Sequence, residues 1–437
     1  MLYGKYVVHR KLARRLVMRA ALVCLPLLLA APADATIGVA YQMLLGNPSN
    51  ATADPNNHDH YLIQRDVEAL DYNDNHRQPN WASWNYTTND TGDSGRSPKF
   101  FQDTNLPPDF YSVKTSDYSG SGYDRGHMCP SGDRTVSVAV NDETFLMSNM
   151  IPQAPDNNQG VWGNLEAYCR AIAVSNEVLI TCGPEGFGTN YTASAGQIPI
   201  ASNVWKIIVA VPLGAGTALD RITNTTRVIA VNIPNIQGIR TDPWQNYITT
   251  VNQLQTNTGF TFFTALNSNV AAVLRAKVDG APATTISGFD PGTGAASTTV
   301  TITGTDFIGA TAVKFNGQNT TFTLNSATQI TASVPTNATT GPISVIAAGG
   351  LATSTNTFTV NAAVPPPVTL TIALAGDQII LSWPSSASTY ALQQNTDLNP
   401  ANWTNYAGPV ITNGATKTVT FTGPAGNLFF RLFSPNP

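Results

Sequence analysis

His127 is the histidine of this chain best placed for acid–base chemistry, because it sits in the stretch Asp124-Arg125-Gly126-His127-Met128-Cys129-Pro130-Ser131-Gly132-Asp133-Arg134, a charged segment carrying two glycines. A neutral imidazole with an ordinary pKa of ~6.5 takes a proton from water near neutrality, so His127 is the expected general base. Gly126 is expected to allow a sharp backbone path that turns the ring toward a cleft. Further along, the run from Asn149 to Glu166 supplies an amide at Asn158 and, eight residues later, the carboxylate of Glu166. Mg²⁺ prefers oxygen ligands and keeps several waters, so one amide oxygen plus a substrate phosphate can hold it. Asn158 is the candidate metal ligand; helix capping is its bland alternative, and the two roles are compatible. On a helix, eight residues are about 2.2 turns, which places Glu166 on the same face, holding metal-bound waters rather than the ion. The bland alternative for Glu166 is a solvated helix carboxylate. His58, His60 and His76 lack comparable neighbours, and His58-Asp59-His60 reads as loop surface rather than a zinc site.

These residues need a framework. Residues 81–86, 178–182 and 204–211 are runs of β-branched and aromatic side chains that read as strands. Residues 161–175 read as a helix, with Trp162, Leu165, Tyr168 and Cys169 at three- and four-residue spacing. The expected class for this region is α+β, with mixed sheets and helices. Composition then breaks near Arg275: residues 36–275 carry 13 basic and 21 acidic side chains, residues 276–437 only four and five. Chemistry therefore belongs to the first part. The second shows alternating runs such as 298–303, 312–315 and 329–334 between turn signals, the pattern of antiparallel β-sandwiches. The proline-rich stretch 362–368 divides it as a stiff spacer, giving two small all-β sandwiches. The expected domains are 36–275, 281–361 and 367–437.

Residues 1–35 are expected to be a secretory signal. Lys5, Arg10, Lys11, Arg14, Arg15 and Arg19 precede an apolar run over 20–31, and Ala33-Asp34-Ala35 offers small residues for cleavage. The run is short of the ~20 apolar residues that span a bilayer, so no membrane segment is expected after processing. Export to the extracellular or periplasmic space of a bacterium follows. Six of 23 basic and one of 27 acidic residues leave with the signal, so 17 stand against 26 and the mature chain carries a net −9. Broad affinity for nucleic acid comes from clustered Lys and Arg. An acidic chain is not a nucleic-acid coat, and any phosphate chemistry rests on a metal and a few placed arginines. Three cysteines survive processing. Cys169 and Cys182 are the favoured disulfide, with Cys129 open as a partner and three buried thiols as the alternative.

Taken in order, residues 61–63, Pro79-Asn80-Trp81, residues 96–100, the Asp124–His127 stretch, residues 148–153 and the run from Asn157 to Glu166 resemble the DNA/RNA non-specific endonuclease family, of the ββα-metal or His-Me finger group. The resemblance spans about 58 to 270. It implies Mg²⁺-dependent hydrolysis of DNA and RNA phosphodiesters with little preference for base or sugar, Mn²⁺ serving as substitute, and 5′-phosphate products. It points to Arg96 as the guanidinium that meets transition-state charge, and to Asn149 as a support of the histidine through its backbone carbonyl. Arg125 stands beside the base and contributes charge, or forms a structural ion pair with Asp124. DNA and RNA are then substrates, with no lasting complex. Residues 281–361 resemble an IPT/TIG immunoglobulin-like domain through 286–294, 300–307, 312–317 and 334–343, and 367–435 resembles a fibronectin-type or immunoglobulin-like module. Neither carries a chemical cluster, so spacing or contact with a cell surface or polysaccharide is expected of them. The rival readings are an adhesion protein with an inactive nuclease-like domain, and a phosphodiesterase for a non-nucleic substrate.

Overall fold

The structure, a computed structural model, describes residues 36–192, 197–361, 368–423 and 426–434. The expected signal segment, residues 1–35, and most of the proline-rich spacer lie outside these residues. Contacts divide the chain into two units, one ending at Val360 and one starting at Asn361.

The α+β region of the first unit runs β1 (Tyr61–Gln64), β2 (Ala69–Asn73), β3 (Gln78–Tyr86), β4 (Asp124–His127), α1 (Val138–Glu143), β5 (Met150–Gln153), α2 (Gly163–Ile172), β6 (Asn176–Tyr191), β7 (Pro199–Pro212), α3 (Ala218–Arg221), β8 (Arg227–Pro234), β9 (Ile248–Thr249), α4 (Val251–Thr258) and α5 (Ser268–Ala276). Seven strands form an antiparallel sheet in the order β1-β2-β3-β6-β7-β8-β9, while β4 and β5 pair only with each other. The three strand-like runs read from the sequence fall within β3, β6 and β7.

Strand alternation sends successive side chains to opposite faces, and both faces of the sheet are buried. Trp84, Val178, Ile180, Ile229 and Val231 pack on one side with Leu165 and Cys169 of α2 and Ile151 of β5. Trp81, Leu179, Val209, Val228 and Ala230 pack on the other with Leu254 of α4 and Leu274 of α5. The β4-β5-α2 finger is thus a layer seated on the first face.

Helix α2 is shorter than its sequence pattern. Residues Asn157–Trp162 form a π-type turn, broken at Gly160, whose φ of −109° and ψ of −106° leave helical geometry. A Cβ on Gly160 would stand 2.5 Å from the Arg240 carbonyl oxygen, so only glycine fits there. The favoured Cys169–Cys182 disulfide does not form: Cys129, Cys169 and Cys182 are free and buried. They fill the apolar layer between sheet and finger as small hydrophobes. Burial pushes the Cys169 and Cys182 thiols up to about 12, far from the thiolate that disulfide exchange needs.

The rest of the first unit is a sandwich of a four-stranded sheet (residues 285–290, 299–305, 329–333 and 322–326 in spatial order) and a five-stranded one (293–294, 350–360, 341–347, 312–315 and 318–320). Val300, Ile302, Phe315, Ile343 and Phe358 fill its core. Helix α5 serves two cores, since Ala271 and Leu274 face the α+β region while Val273 and Ala276 pack on Ile346 of the sandwich. Arg227 meets Asp279 with two hydrogen bonds of 2.7 Å, and Lys277 donates to the Thr226 carbonyl at 2.9 Å. The second unit, by itself, holds a four-stranded and a three-stranded sheet around Leu381, Trp383, Leu392 and Val419.

Candidate active site

β4 and β5 pair in the register Asp124↔Gln153 to His127↔Met150, which puts His127 at the end of its strand. Gly126 is not the expected sharp bend. It lies inside β4, and its purpose is close approach, because a Cβ there would stand 2.0 Å from Gln153 Oε1 and 2.6 Å from Gln153 Cβ. Gln153 uses its amide to donate to Asn157 Oδ1 at 2.6 Å, and Asn157 donates to the Pro234 carbonyl at 2.7 Å. The turn carrying Asn158 is thereby tied to β5 and β8.

His127 is 7% exposed, and its Nε2 has no hydrogen-bond partner. Phe145 stands edge-on to the imidazole, 4.7 Å between centroids, and Phe100 lies at 5.6 Å. Each phenyl ring also carries a guanidinium, Arg96 over Phe145 at 4.9 Å and Arg125 over Phe100 at 4.3 Å. Burial, reinforced by the charges of Arg96 and Arg125, pushes His127 down to about 3. The imidazole is neutral at neutral pH.

Asn149 is fully buried and acts on the chain just after the base. Its carbonyl accepts from Met128 N–H at 3.0 Å, its Oδ1 from Cys129 N–H at 3.0 Å, and its amide donates to the Cys129 and Thr144 carbonyls at 2.9 Å. Asn149 fixes where β4 ends rather than bonding the ring.

A cleft of about 420 Å³ is lined by His127, Arg96, Arg125, Ser131, Asn158, Gln159, Glu166 and Arg170. A second lobe of about 480 Å³ shares Arg96, Arg125, Asn158 and Gln159 and extends along Phe100, Tyr118 and Tyr123. All six residues proposed from sequence except Asn149 therefore face one cleft. Asn158 and Glu166 meet there despite the broken helix between them. Asn158 is not a helix cap: its amide N–H₂ donates to Asp124 Oδ2 at 2.9 Å, as Gln159 does at 2.7 Å. Asp124 is thus a brace for two amides rather than a partner of Arg125. Arg96 is half-buried and donates to Ser131 Oγ at 2.7 Å. Burial pushes the Glu166 carboxyl up to about 7, with Lys206 the charge that most opposes the shift.

Arg170 was not singled out by sequence reasoning. It lies one helical turn beyond Glu166 on α2, a spacing that could have flagged it. It reaches the cleft while bonding Asp133 Oδ1 at 3.0 Å. Asp133 is buried and also accepts from Trp84 Nε1 at 3.0 Å, so the guanidinium is held from the sheet. His58 and His60 are engaged elsewhere, by Asp74 at 2.9 Å and Asp71 at 2.8 Å.

The family model for DNA/RNA non-specific endonuclease matches residues 45–269, and that for the IPT/TIG domain matches 284–360. A nuclease of Nostoc sp. is 40% identical over 242 residues, 55% of this chain and 87% of that protein. Nuclease C1 of Cunninghamella echinulata is 31% identical over 223 residues, 47% of this chain and 84% of that protein. A solved structure of an EndoG/EndoGI complex covers 55% of this chain and 95% of that chain at 24% identity, with a TM-score of 0.45. The chain belongs to the DNA/RNA non-specific endonuclease family, as a nuclease whose catalytic domain is followed by an IPT/TIG domain and a further β region.

Proposed function

We propose that this nuclease is a secreted, Mg²⁺-dependent endonuclease that hydrolyses DNA and RNA with little preference for base or sugar and leaves 5′-phosphate ends. The observation that carries the reading is a neutral, buried imidazole sharing one cleft with three guanidiniums, an amide and a carboxylate. The residues present fit a hard cation. Among the described residues no group of three or more His, Cys, Asp or Glu could hold a metal, so a fitting ion is one that binds through few protein oxygens and keeps its waters. Asn158, oriented by Asp124, would hold it, and Glu166 would hold its waters. Bound there, Mg²⁺ would supply positive charge against the charge that develops in the reaction, and Mn²⁺ would substitute.

His127 takes the proton of the attacking water. A bond forms from that oxygen to phosphorus as the bond from phosphorus to O3′ breaks; the O3′ oxyanion takes a proton from solvent water and His127 returns its proton to solvent, leaving a 5′-phosphate and a 3′-hydroxyl. Arg96 and Arg125 meet the charge that develops on the phosphate oxygens. A base held near 3 is a weak one. A phosphate anion arriving between the guanidiniums offsets their share of the depression, which is smaller than that of burial. Asn149 is a positioning residue, since it touches the strand end and not the ring.

Three arginines at one cleft in a processed chain, residues 36–437, of net −9 favour capture of phosphate locally and release of polymer elsewhere, consistent with nucleic acid as substrate and no lasting complex. Residues 1–35 would direct export, and the two β modules would hold the enzyme at a cell surface or polysaccharide. The test is cleavage of plasmid, single-stranded DNA, RNA and a small phosphodiester by the purified protein, with Mg²⁺ and with EDTA, followed by end analysis. Metal-dependent internal cuts with 5′-phosphate ends are expected, and a His127→Ala protein should lose at least about 10²-fold in turnover while staying folded. Cleavage of the small diester alone, or undiminished cleavage by His127→Ala, would overturn the reading.

A further inference from the structure

The first face of the sheet hides a cation that the mechanism above does not use. Lys206, on β7, is 0% exposed and stands in the sheet between Cys182 of β6 and Val231 of β8. Its Nζ has no hydrogen-bond partner. An ammonium removed from water and left without acceptors costs far more than a methylene in the same place, so a buried, unbonded lysine calls for a reason. Its contacts are aromatic. The Nζ lies 4.1 Å from the centroid of the Trp162 ring and 5.6 Å from that of Trp84. A ring face attracts a cation most where water is excluded.

Both rings lead to the cleft. Trp162 ends the π-type turn that begins at Asn157 and directly precedes the first turn of α2, which contains Glu166. Trp84 donates to Asp133, which holds Arg170. Of the charges around Glu166, Lys206 acts on it most strongly and in the sense that favours the carboxylate. The ammonium thus approaches from the sheet side the helix turn whose other side faces the cleft.

We propose that Lys206 is a positioning residue for the nuclease reaction: its buried ammonium, seated on Trp162, is the counter-charge beside the first turn of α2 that holds the Glu166 carboxylate in the cleft. The inference rests on the role proposed above for Glu166. A neutral side chain of similar length keeps the packing and removes the charge, so chemistry and folding separate. Lys206→Met should stay folded, because an apolar tail of similar length fills the same volume. Its kcat at saturating Mg²⁺ should fall about tenfold or more, the scale of supporting residues around a metal site, with KM for a short oligonucleotide unchanged.

A double-mutant cycle with Glu166→Gln then decides how the lysine acts. If Lys206 works through Glu166, adding Lys206→Met to Glu166→Gln lowers kcat no further. Multiplying effects, or a Lys206→Met kcat within twofold of the parent, overturn the proposal while leaving the function intact. A Glu166→Gln protein of full activity instead overturns the role of Glu166 itself. Should Lys206→Met not fold, Lys206→Gln takes its place in the cycle; if neither folds, Lys206 is a requirement of the core and the proposal is wrong.

Discussion

His127 meets the Phe145 ring edge-on, at 4.7 Å between centroids and 83° between planes. Water that would solvate an imidazolium is excluded on that side, and burial is the largest cause of the depressed basicity of His127. Phe145→Ala should admit water and move His127 back toward ~6.5. The acid limb of kcat/KM against pH should then shift to higher pH than in the parent, where His127 stays unprotonated in the free enzyme well below neutrality. Superimposable profiles would remove Phe145 as the cause.

The same burial makes folding sensitive to acid. The unfolded chain protonates His127 near ~6.5 and the folded one only near about 3, so between these values the unfolded state binds more protons. Stability from this group is full above ~6.5 and declines as pH falls toward 3, by about 2 kcal/mol at pH 5. Urea unfolding of the parent and of His127→Gln at pH 5 and 7.5 should show a larger loss for the parent.

Asp124 orients both Asn158 and Gln159. Asp124→Ala should leave those amides free to rotate and raise the Mg²⁺ concentration for half-maximal activity by about 10- to 100-fold. Saturating Mg²⁺ should restore much of the rate to Asp124→Ala and much less to Asn158→Ala. Metal titrations of the two proteins check the difference.

Gly126 faces Gln153 too closely for a side chain. Gly126→Ala must displace Gln153, which in turn holds Asn157, at a cost of about 1–3 kcal/mol. Denaturant unfolding should register that loss, and kcat should fall with it because the displaced turn carries Asn158.

A chain ending after Gly280 removes Ile346 from the α5 face formed by Val273 and Ala276. Such a protein should retain cleavage of short oligonucleotides and melt below the full chain, as circular dichroism would record. An inactive but folded fragment would mean that the sandwich completes the active site.

Much of the cleft's lining was legible because it is local in the chain. His127, Asn158 and Glu166 lie within 40 residues, and the period of Trp162, Leu165 and Cys169 marks α2 directly. What was not legible depends on neighbours far apart in sequence. The Phe100 and Phe145 walls, the contact that requires Gly126 and the seat of Lys206 exist only once β4, β5 and β7 are placed. The expected disulfide failed for a related reason: spacing measures distance along the chain, whereas the cysteines were packed as apolar volume in a layer that spacing does not describe. The break of α2 at Gly160 came from the Arg240 backbone, 80 residues away.

Helix α5 has both sides occupied, one by the catalytic core and one by the sandwich, with Arg227 and Asp279 bonded across the junction. A boundary built this way has no hinge in it. Residues 36–360 should tumble with a single rotational correlation time, and a polymer gripped by the sandwich would reach the catalytic cleft at a fixed bearing instead of sampling a cone of angles.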